Sequence, residues 1–226
     1  MTTGANAIIR KPASPRSAEY NHYGQKIGSK GERTRLALIE TTVELLESHG
    51  LRDVSVADVA RAAQTSPATF YVYFRGVPEV VLAALEGASQ TSPEIEQFFA
   101  TPWHEADSIQ KARSFVDTYC ALWNQHRTIF RVRNMAAEEG DERFYRSRMD
   151  AAVPVMALLT SQIEQAQSAG LVPADLKPRS CAGTILMMLE RLAAIGPITD
   201  ERDDISYDTL RAAAAHSVAM MLGARS

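Results

Sequence analysis

Residues 54–74 read VSVADVARAAQTSPATFYVYF, and this stretch decides the fold of the N-terminal part of the chain. Ser55 comes just before apolar residues at helical spacing, which is the position of an N-cap. Ser66, followed by a proline, repeats the pattern, because serine favours the cap and proline the first helical position. The stretch predicts two short helices, over 56–63 and 67–74, joined by a tight turn.

A longer helix is predicted before this pair. From Arg33 onward, apolar residues recur at steps of three and four: Leu36, Ile39, Val43 and Leu46. The pattern ends at His49–Gly50, and glycine is common just after a helix. Three helices with a tight turn between the last two form a helix–turn–helix, whose final helix can enter a DNA major groove about 12 Å wide.

The helix predicted over 67–74 has one apolar and one polar side. Phe70 and Phe74 are four residues apart and are expected to be buried, which turns their neighbours outward or sideways. Those neighbours are Ala68, Thr69, Tyr71 and Tyr73. Phenol hydroxyls on such a helix are suited to donate hydrogen bonds to DNA phosphates, although Tyr71 and Tyr73 could instead only cover the small core.

The stretch 36–85 resembles the tetracycline-repressor (TetR) family in its segments S-V-A-D-V-A, S-P-A-T-F-Y-V-Y-F and E-V-V-L. The matching residues are Ser55, Ala60, Ser66, Thr69, Tyr71, Tyr73 and Phe74. The resemblance implies a homodimeric transcriptional regulator, usually a repressor that a small ligand releases from DNA. It also implies DNA contacts by four of these residues: Ser55, Thr69, Tyr71 and Tyr73.

We predict a DNA-binding surface on this unit. Its residues are Ser55, Gln64, Thr65, Ser66, Ala68, Thr69, Tyr71, Tyr73, Lys26, Lys30 and Arg33. Within the 67–74 helix the chain has no Arg, Lys, Asn or Gln, so bidentate contacts to bases, worth roughly 1–3 kcal/mol each, are scarce. Ala68 and Thr69 are expected to contact thymine methyl groups. Gln64 or Thr65 is expected to reach a base edge from the turn.

Two positions depart from the family pattern. Gln64 stands in the turn where the family usually has glycine, a position that often has a positive φ, so either mild strain or a slightly different turn is expected there. Gly76–Val77–Pro78 stands where the family often has a phosphate-anchoring lysine, and that contact is missing unless Arg75 supplies it. These departures keep open a helical ligand-binding or interaction protein that has lost specific DNA reading. A regulator that activates, or that represses with a partner and no ligand, is a third possibility.

The sequence predicts three domains. The first, 1–30, is a flexible arm with five basic residues, two prolines and little apolar periodicity. Residues 1–75 contain ten basic and seven acidic residues, a net +3, whereas the rest of the chain carries −6. We predict that the arm follows phosphates or enters the minor groove, with an arm that makes no contacts as the alternative. The DNA-binding domain follows at 31–77, and a ligand-sensing and dimerisation domain at 78–226.

The chain after Pro78 is predicted to be helical almost throughout. The predicted segments are 78–90, 106–126, 128–138, 141–169, 179–195 and 205–222. Glycines and prolines mark the breaks between them, and Pro154 should kink the fourth of these segments or start a new helix. No stretch alternates with the period of two that a strand requires, so the predicted fold is all-α.

Apolar stripes on these helices predict a ligand pocket. Mixed aromatic and methionine linings with polar groups beside them form adaptable lipophilic pockets between helices. The predicted lining is Phe115, Tyr119, Trp123, Asn124, Phe130, Asn134, Met135, Met156, Gln162, Met187 and Glu190. The small effector is therefore expected to be lipophilic, although the same stripes could be plain core.

The last two helices are predicted to form the dimer interface. In the TetR family the equivalent helices pair with their symmetry mates as a four-helix bundle. The candidates here are Ile185, Leu189, Leu192, Ala214, Val218 and Met221. The two recognition helices of a dimer would bind a palindromic operator in double-stranded DNA, with half-sites about 34 Å apart or a multiple of that.

Composition and motifs argue against other classes of protein. The chain has 226 residues, of which 46% are hydrophobic and 23% charged, as in ordinary globular proteins. No signal peptide is visible, and no stretch approaches the ~18–20 apolar residues of a membrane helix, so a cytoplasmic protein without a membrane partner is expected. Hydrolase, nucleotide-binding and zinc motifs are absent, and the two cysteines lack metal-site spacing, so we expect no enzyme, no cofactor and no metal.

Overall fold

The computed structural model describes residues 23–88, 92–103, 107–196 and 205–224. Within these ranges the chain forms ten helices, and no extended strand occurs among them. The all-α prediction is confirmed. The contacts between helices divide the chain into two compact units. The first unit ends at Ala88, and the second unit follows it.

The first unit contains four helices. They are α1 (Ser29–Leu46), α2 (Val56–Ala62), α3 (Pro67–Tyr73) and α4 (Val77–Ala88). The two short helices lie where the sequence predicts them. Because α4 packs on α1, the first unit extends to Ala88 and past the boundary placed at position 77.

The helix α1 begins earlier than the apolar pattern indicates. It starts at Ser29, before Arg33, so Lys30 is helical and does not belong to a flexible arm. The first turn carries no apolar stripe because it is solvated, and periodicity cannot detect such a turn. Among the arm's other basic residues, Lys26 is exposed. Three lie outside the described residues: Arg10, Lys11 and Arg16.

A small apolar core holds the first unit together. Its fully buried residues come from all four helices: Leu38, Val59, Ala60, Phe70, Val80 and Val81. The phenyl rings of Phe70 and Phe74 lie 5.9 Å apart, and Phe74 is also buried, as the i, i+4 spacing predicts. The guanidinium of the buried Arg35 lies 5.5 Å from the centre of the Phe74 ring. Val56, also expected to be buried, is only half-buried.

The second unit contains six described helices. They are α5 (Pro93–Gln97), α6 (Ser108–Gln125), α7 (Arg127–Glu138), α8 (Glu142–Ser168), α9 (Pro178–Ile195) and α10 (Tyr207–Met221). The sequence missed α5, whose five residues are too few to show periodicity. Its cap resembles that of α3, because the Ser92 hydroxyl accepts a hydrogen bond from the Glu94 amide before a first-turn proline. The helix α8 runs through Pro154, so no new helix starts there.

Five aromatic rings, with Phe115 at their centre, pack together at one end of α6. The rings of Phe98, Phe99 and Trp103 have their centres 5.8, 5.3 and 5.8 Å from that of Phe115, in edge-to-face arrangements. The fifth ring, Tyr119, lies at 6.4 Å. Such contacts stabilise a core beyond the apolar area that they bury.

No single helix in the described ranges is long and apolar enough to cross a membrane. Among the helices that the structure describes, α3 and α4 taken together, with a bend of 49° between them, are the one pair that reaches that length and composition.

Candidate DNA-binding surface and ligand cavity

Two side chains fix the start of α2. The Ser55 hydroxyl accepts a hydrogen bond from the Asp58 amide at 3.1 Å, and the Ser55 amide donates to the Asp58 carboxylate at 3.2 Å. This reciprocal pair is a capping box, so the predicted N-cap is confirmed. Hydrogen bonds from Ser55, with a smaller contribution from Arg61, hold the pKa of Asp58 below its usual range. Asp58 therefore stays ionised and favourably placed at the positive end of α2.

The turn after α2 depends on one residue in a left-handed conformation. Gln64 has a φ of 53°, and among the described residues it is the only non-glycine with a positive φ. The Thr65 amide donates to the Ala60 carbonyl at 2.8 Å, and the Gln64 amide donates to the Arg61 carbonyl at 3.1 Å. These two bonds form a Schellman motif. The turn thus keeps the ordinary geometry, and Gln64 adopts a conformation that glycine takes at lower cost.

The helix α3 presents a polar face over a buried one. The Ser66 hydroxyl accepts from the Thr69 amide at 3.1 Å, which confirms the predicted cap. Phe70 is buried, whereas Ala68 and Tyr71 are exposed. Exposed methyl and hydroxyl groups on this face can meet thymine methyl groups and phosphate oxygens without moving the core.

The two tyrosines of α3 have different surroundings. Tyr71 is 45% exposed and only touches the edge of Phe70, with ring centres 5.7 Å apart. Tyr73 is half-buried, and its hydroxyl lies 3.1 Å from the point where a β-carbon on Gly31 would stand, at the start of α1. Tyr73 therefore partly covers the core, whereas Tyr71 is free to face a ligand.

The predicted DNA-binding residues all lie at the surface of the first unit. Eight are exposed: Lys26, Lys30, Arg33, Ser55, Gln64, Ser66, Ala68 and Tyr71. Three are half-buried: Thr65, Thr69 and Tyr73. Arg75 is exposed in the turn before α4, and its amide donates to the Glu79 carboxylate at 2.6 Å. Arg75 is thus exposed just before Gly76–Val77–Pro78, the segment where the family often has a lysine.

A cavity of about 440 Å³ opens in the second unit. Helices α6, α7, α8 and α9 all contribute to it. The lining is Trp123, Arg127, Arg131, Asn134, Met135, Glu138, Arg148, Met187, Glu190, Arg191, Ala194 and Ile195. Five of these were predicted: Trp123, Asn134, Met135, Met187 and Glu190. The sequence did not predict the arginines, because apolar stripes indicate only the apolar part of a lining, and charged residues beside a stripe are expected to face solvent.

A partly buried cluster of charges lies at the cavity. One Glu190 oxygen lies 3.4 Å from a guanidinium nitrogen of Arg133, and the other accepts a hydrogen bond from Arg148 at 2.9 Å. Burial lowers the pKa of the Arg133 guanidinium, and Glu190 partly offsets this. Burial, followed by the nearby Glu190 carboxylate, raises the pKa of Tyr119 above its usual range. The phenol of Tyr119 is therefore neutral and extends this polar group.

Arg127 caps the C-terminal end of α9. Its guanidinium donates to the carbonyls of Ala193, Ala194 and Ile195 at 3.2, 2.8 and 3.0 Å. These carbonyls have no partner within the helix, and a cation here is favourable beside the negative end of the helix dipole. One side chain thus fixes the helix end that contributes Ala194 and Ile195 to the cavity.

Two family models match this chain. Residues 38–84 match the bacterial regulatory proteins of the tetR family, and residues 96–225 match the C-terminal domain of tetracyclin-repressor-like proteins. Together the two matches cover well over half of the chain. The chain belongs to the TetR family.

Individual TetR-family relatives agree with this assignment. The transcriptional regulator EthR of Mycobacterium tuberculosis is 25% identical over 193 residues, which is 84% of each chain. EthR of Mycolicibacterium smegmatis is 23% identical over 222 residues, 96% of this chain and 93% of its own. The TetR-family chain is accordingly a DNA-binding transcriptional regulator.

Solved structures of TetR-family proteins share the fold. NalD of Pseudomonas aeruginosa, a secondary repressor of a multidrug efflux pump, gives a TM-score of 0.60 at 15% identity, over 84% of this chain and 96% of its own. A tetR-family regulator from Streptomyces coelicolor gives 0.59 at 18% identity, over 86% and 82%.

Six residues predicted for the TetR-type ligand pocket do not line the cavity. They are Phe115, Tyr119, Asn124, Phe130, Met156 and Gln162. Phe115 belongs to the aromatic core, and Asn124 is exposed. The buried Gln162 amide donates to the carbonyls of Phe99 and Thr101 at 3.3 and 3.4 Å, so it secures a loop. Within the described ranges, no cluster of His, Cys, Asp or Glu is placed to hold a metal ion.

Most of the residues predicted for the TetR-type dimer interface face the core of their own chain. Five are buried within a single chain: Ile185, Leu189, Leu192, Ala214 and Val218. Met221 is half-buried. The most apolar stripe of each helix faces the core of its own unit, which leaves a less apolar face for a partner. The exposed residues on these helices include Thr184, Met187, Ala212, Ala213, His216 and Met220.

Proposed function

We propose that the chain acts as a homodimeric repressor that binds a palindromic operator and leaves it when a small ligand occupies the second unit. The observation that carries the proposal is the surface of α3, where Ala68 and Tyr71 are exposed directly over the buried Phe70. In a helix–turn–helix this is the face that enters the major groove, while α2 crosses the phosphate backbone.

Dimerisation is supported by the outward faces of α9 and α10. Small residues such as Ala212 and Ala213 allow two helices to approach closely, and Met220 adds apolar area that one chain leaves exposed. We assign the interface to these faces in place of the buried stripe. Two-fold symmetry then places two copies of α3 on half-sites about 34 Å apart or a multiple of that.

Repression and ligand release are supported by the relatives and by the cavity. NalD is described as a repressor, and the cavity volume of about 440 Å³ suits a small organic molecule. The site has neither a nucleophile–base pair nor a metal cluster among the described residues, so we propose a non-enzymatic role. Binding of chromosomal DNA places this role in the cytoplasm.

Fluorescence anisotropy on DNA from upstream of the chain's own gene tests the proposal. Specific binding is expected to exceed binding to random DNA by roughly 10³-fold or more. Tyr71→Phe should weaken it, because the hydroxyl donates to a phosphate. Tyr145→Phe is the matched control, since Tyr145 is 53% exposed but lies on α8 in the second unit. Equal binding to both DNAs would contradict the proposed operator recognition.

A salt series on the same DNA tests the basic arm. Removal of residues 1–28 should reduce the slope of log affinity against log salt, because fewer phosphate contacts release fewer counterions. An unchanged slope would show that the arm makes no phosphate contact.

A further inference from the structure

The cavity carries more positive than negative charge. Its lining contains four arginines and two glutamates, a net charge of +2. The arginines are Arg127, Arg131, Arg148 and Arg191. The guanidinium of Arg127 donates hydrogen bonds to the carbonyls at the end of α9. No carboxylate among the described residues pairs with Arg131 or Arg191. A neutral lipophilic ligand would leave this charge without a counterpart.

The partly buried cluster of charges contributes to this excess of positive charge. Glu190 supplies one negative charge to two arginines, so the group formed by Arg133, Glu190 and Arg148 carries a net +1. Arg133 is only 3% exposed, and its Nε–H also donates to the Asn134 side chain at 3.1 Å. Arg133 and Arg148 share the single Glu190 carboxylate, so the excess positive charge belongs to this pair, and Arg148 is the member of the pair that reaches the cavity.

An unpaired donor belongs to the same lining. Trp123 is 4% exposed, and its indole N–H has no hydrogen-bond acceptor among the described residues. A buried donor without a partner is destabilising. A ligand oxygen placed against the indole N–H would supply the missing acceptor, and an anionic oxygen is the strongest acceptor available.

Apart from Asn134, the rest of the lining is apolar. Met135, Met187, Ala194 and Ile195 join the indole ring of Trp123 along the cavity. Methionine side chains adapt to irregular hydrocarbon shapes. The cavity thus combines apolar side chains with a net positive charge, which is the complement of an amphipathic anion.

We propose that the ligand of this cavity is a monocarboxylate with an aliphatic or aromatic body, whose carboxylate pairs with Arg148 and accepts a hydrogen bond from Trp123. This inference rests on the proposed ligand-responsive function and names the chemical class of the effector. The effector expected from the structure is thus an amphipathic anion, whereas the sequence alone predicted only that it is lipophilic.

Isothermal titration calorimetry on the full-length protein tests the inference with three probes of equal chain length. These are octanoate, 1-octanol and octylammonium. Octanoate is expected to bind at least roughly tenfold more tightly than the other two, because only octanoate carries a charge opposite to the net positive charge of the cavity. Binding of 1-octanol or octylammonium at the affinity of octanoate, or no binding of octanoate, overturns the inference.

Three variants locate the interaction. Arg148→Met leaves the neutral pair of Arg133 and Glu190, and Trp123→Phe removes the N–H but keeps an aromatic ring. Each should weaken octanoate binding by roughly tenfold and leave 1-octanol binding unchanged. Arg113→Met, at an exposed position on α6 outside the cavity, is the control. Unchanged octanoate affinity in both cavity variants overturns the inference, and circular dichroism melting checks that each variant folds.

Release of operator DNA by octanoate is measured separately. If octanoate binds through Arg148 but does not release DNA, the inference about the cavity stands and the proposed ligand response fails. If operator binding is specific but octanoate does not bind, the inference fails and the proposed DNA-binding function stands.

Discussion

The polar contacts inside the first unit and those inside the second unit join residues at very different separations along the chain. In the first unit the decisive polar contacts are local, since Ser55 with Asp58 and Ser66 with Thr69 are each three residues apart. In the second unit Glu190 contacts arginines 42 and 57 residues away, and Gln162 reaches a carbonyl 63 residues away.

The difference follows from what each unit has to do. A DNA-binding face needs two short helices at a fixed angle, and caps and turns between neighbouring residues are enough to set them. A ligand cavity needs groups from several helices around an enclosed volume, and only tertiary packing brings such groups together. The first unit is therefore expected to respond to changes in local conformation, and the second to changes in buried contacts.

The largest effect is expected from the aromatic core of the second unit. Phe115→Ala should lower the free energy of unfolding of this unit by about 4 kcal/mol, because it removes a fully buried ring that touches four others. Denaturant titration followed by tryptophan fluorescence measures it, because Trp103 and Trp123, both in the second unit, are the only tryptophans in the chain.

Phe70→Ala is the matched variant in the first unit. It should abolish DNA binding and leave the tryptophan transition in place. An equal shift of that transition by both variants would contradict the separation of the units.

Gly196→Ala should destabilise the second unit by about 2–3 kcal/mol. Gly196 has a φ of 61°, and a β-carbon there would collide with the guanidinium of Arg127, which holds the end of α9. Gly140→Ala is the control, because Gly140 has a φ of 94° and open space around the missing β-carbon. It should cost only the backbone strain, about 1 kcal/mol. Equal losses in fluorescence-monitored unfolding would show that the Arg127 contact is unimportant.

Ser55→Ala should destabilise the first unit by about 1 kcal/mol at neutral pH, through loss of the α2 cap. The pKa of Asp58 is lowered in the folded state, so its contribution is present above its ordinary value of 3.8 and is lost as the pH falls through the lowered value. The gap between wild type and Ser55→Ala in circular dichroism melting should therefore shrink at acidic pH.

Ser206→Ala provides the comparison for this pH dependence. Ser206 caps α10 with Thr209 in place of a carboxylate, so its effect should not change over the same pH range. A pH-independent effect of Ser55→Ala would contradict the role given to Asp58.

The smallest effect is expected at the turn between α2 and α3. Gln64→Gly should stabilise the first unit by up to about 1 kcal/mol, because glycine adopts a φ of 53° without the side-chain penalty. Gln64→Val, with a branched β-carbon, should be destabilising. Thermal melting of the two variants measures both changes in stability. A loss of stability in Gln64→Gly would show that the glutamine side chain makes a contact whose free energy exceeds the strain.

The predictions from sequence succeeded where a residue acts on its neighbours. Ser55 and Ser66 were identified as caps because a cap needs only the next three residues, and Gln64 was identified as strained because its conformation is set by one turn. The same reasoning could have found α5, since Ser92 and the following proline repeat the pattern of α3. The apolar stripe of α9 was assigned to a partner chain when it faces the core, because periodicity identifies a buried face but not what covers it.

The sequence by itself determined the all-helical fold, the helix–turn–helix and the outward-facing residues of α3, because these follow from helix periodicity and caps within a few residues. Only the tertiary structure decided which faces of α9 and α10 remain free and which residues surround the cavity. Arg148 and Glu190 meet because α8 packs against α9, and no local pattern in either helix encodes that contact. The energetics of a buried charge depend on neighbours that are distant in the chain, so the electrostatics of the cavity became visible only with the fold.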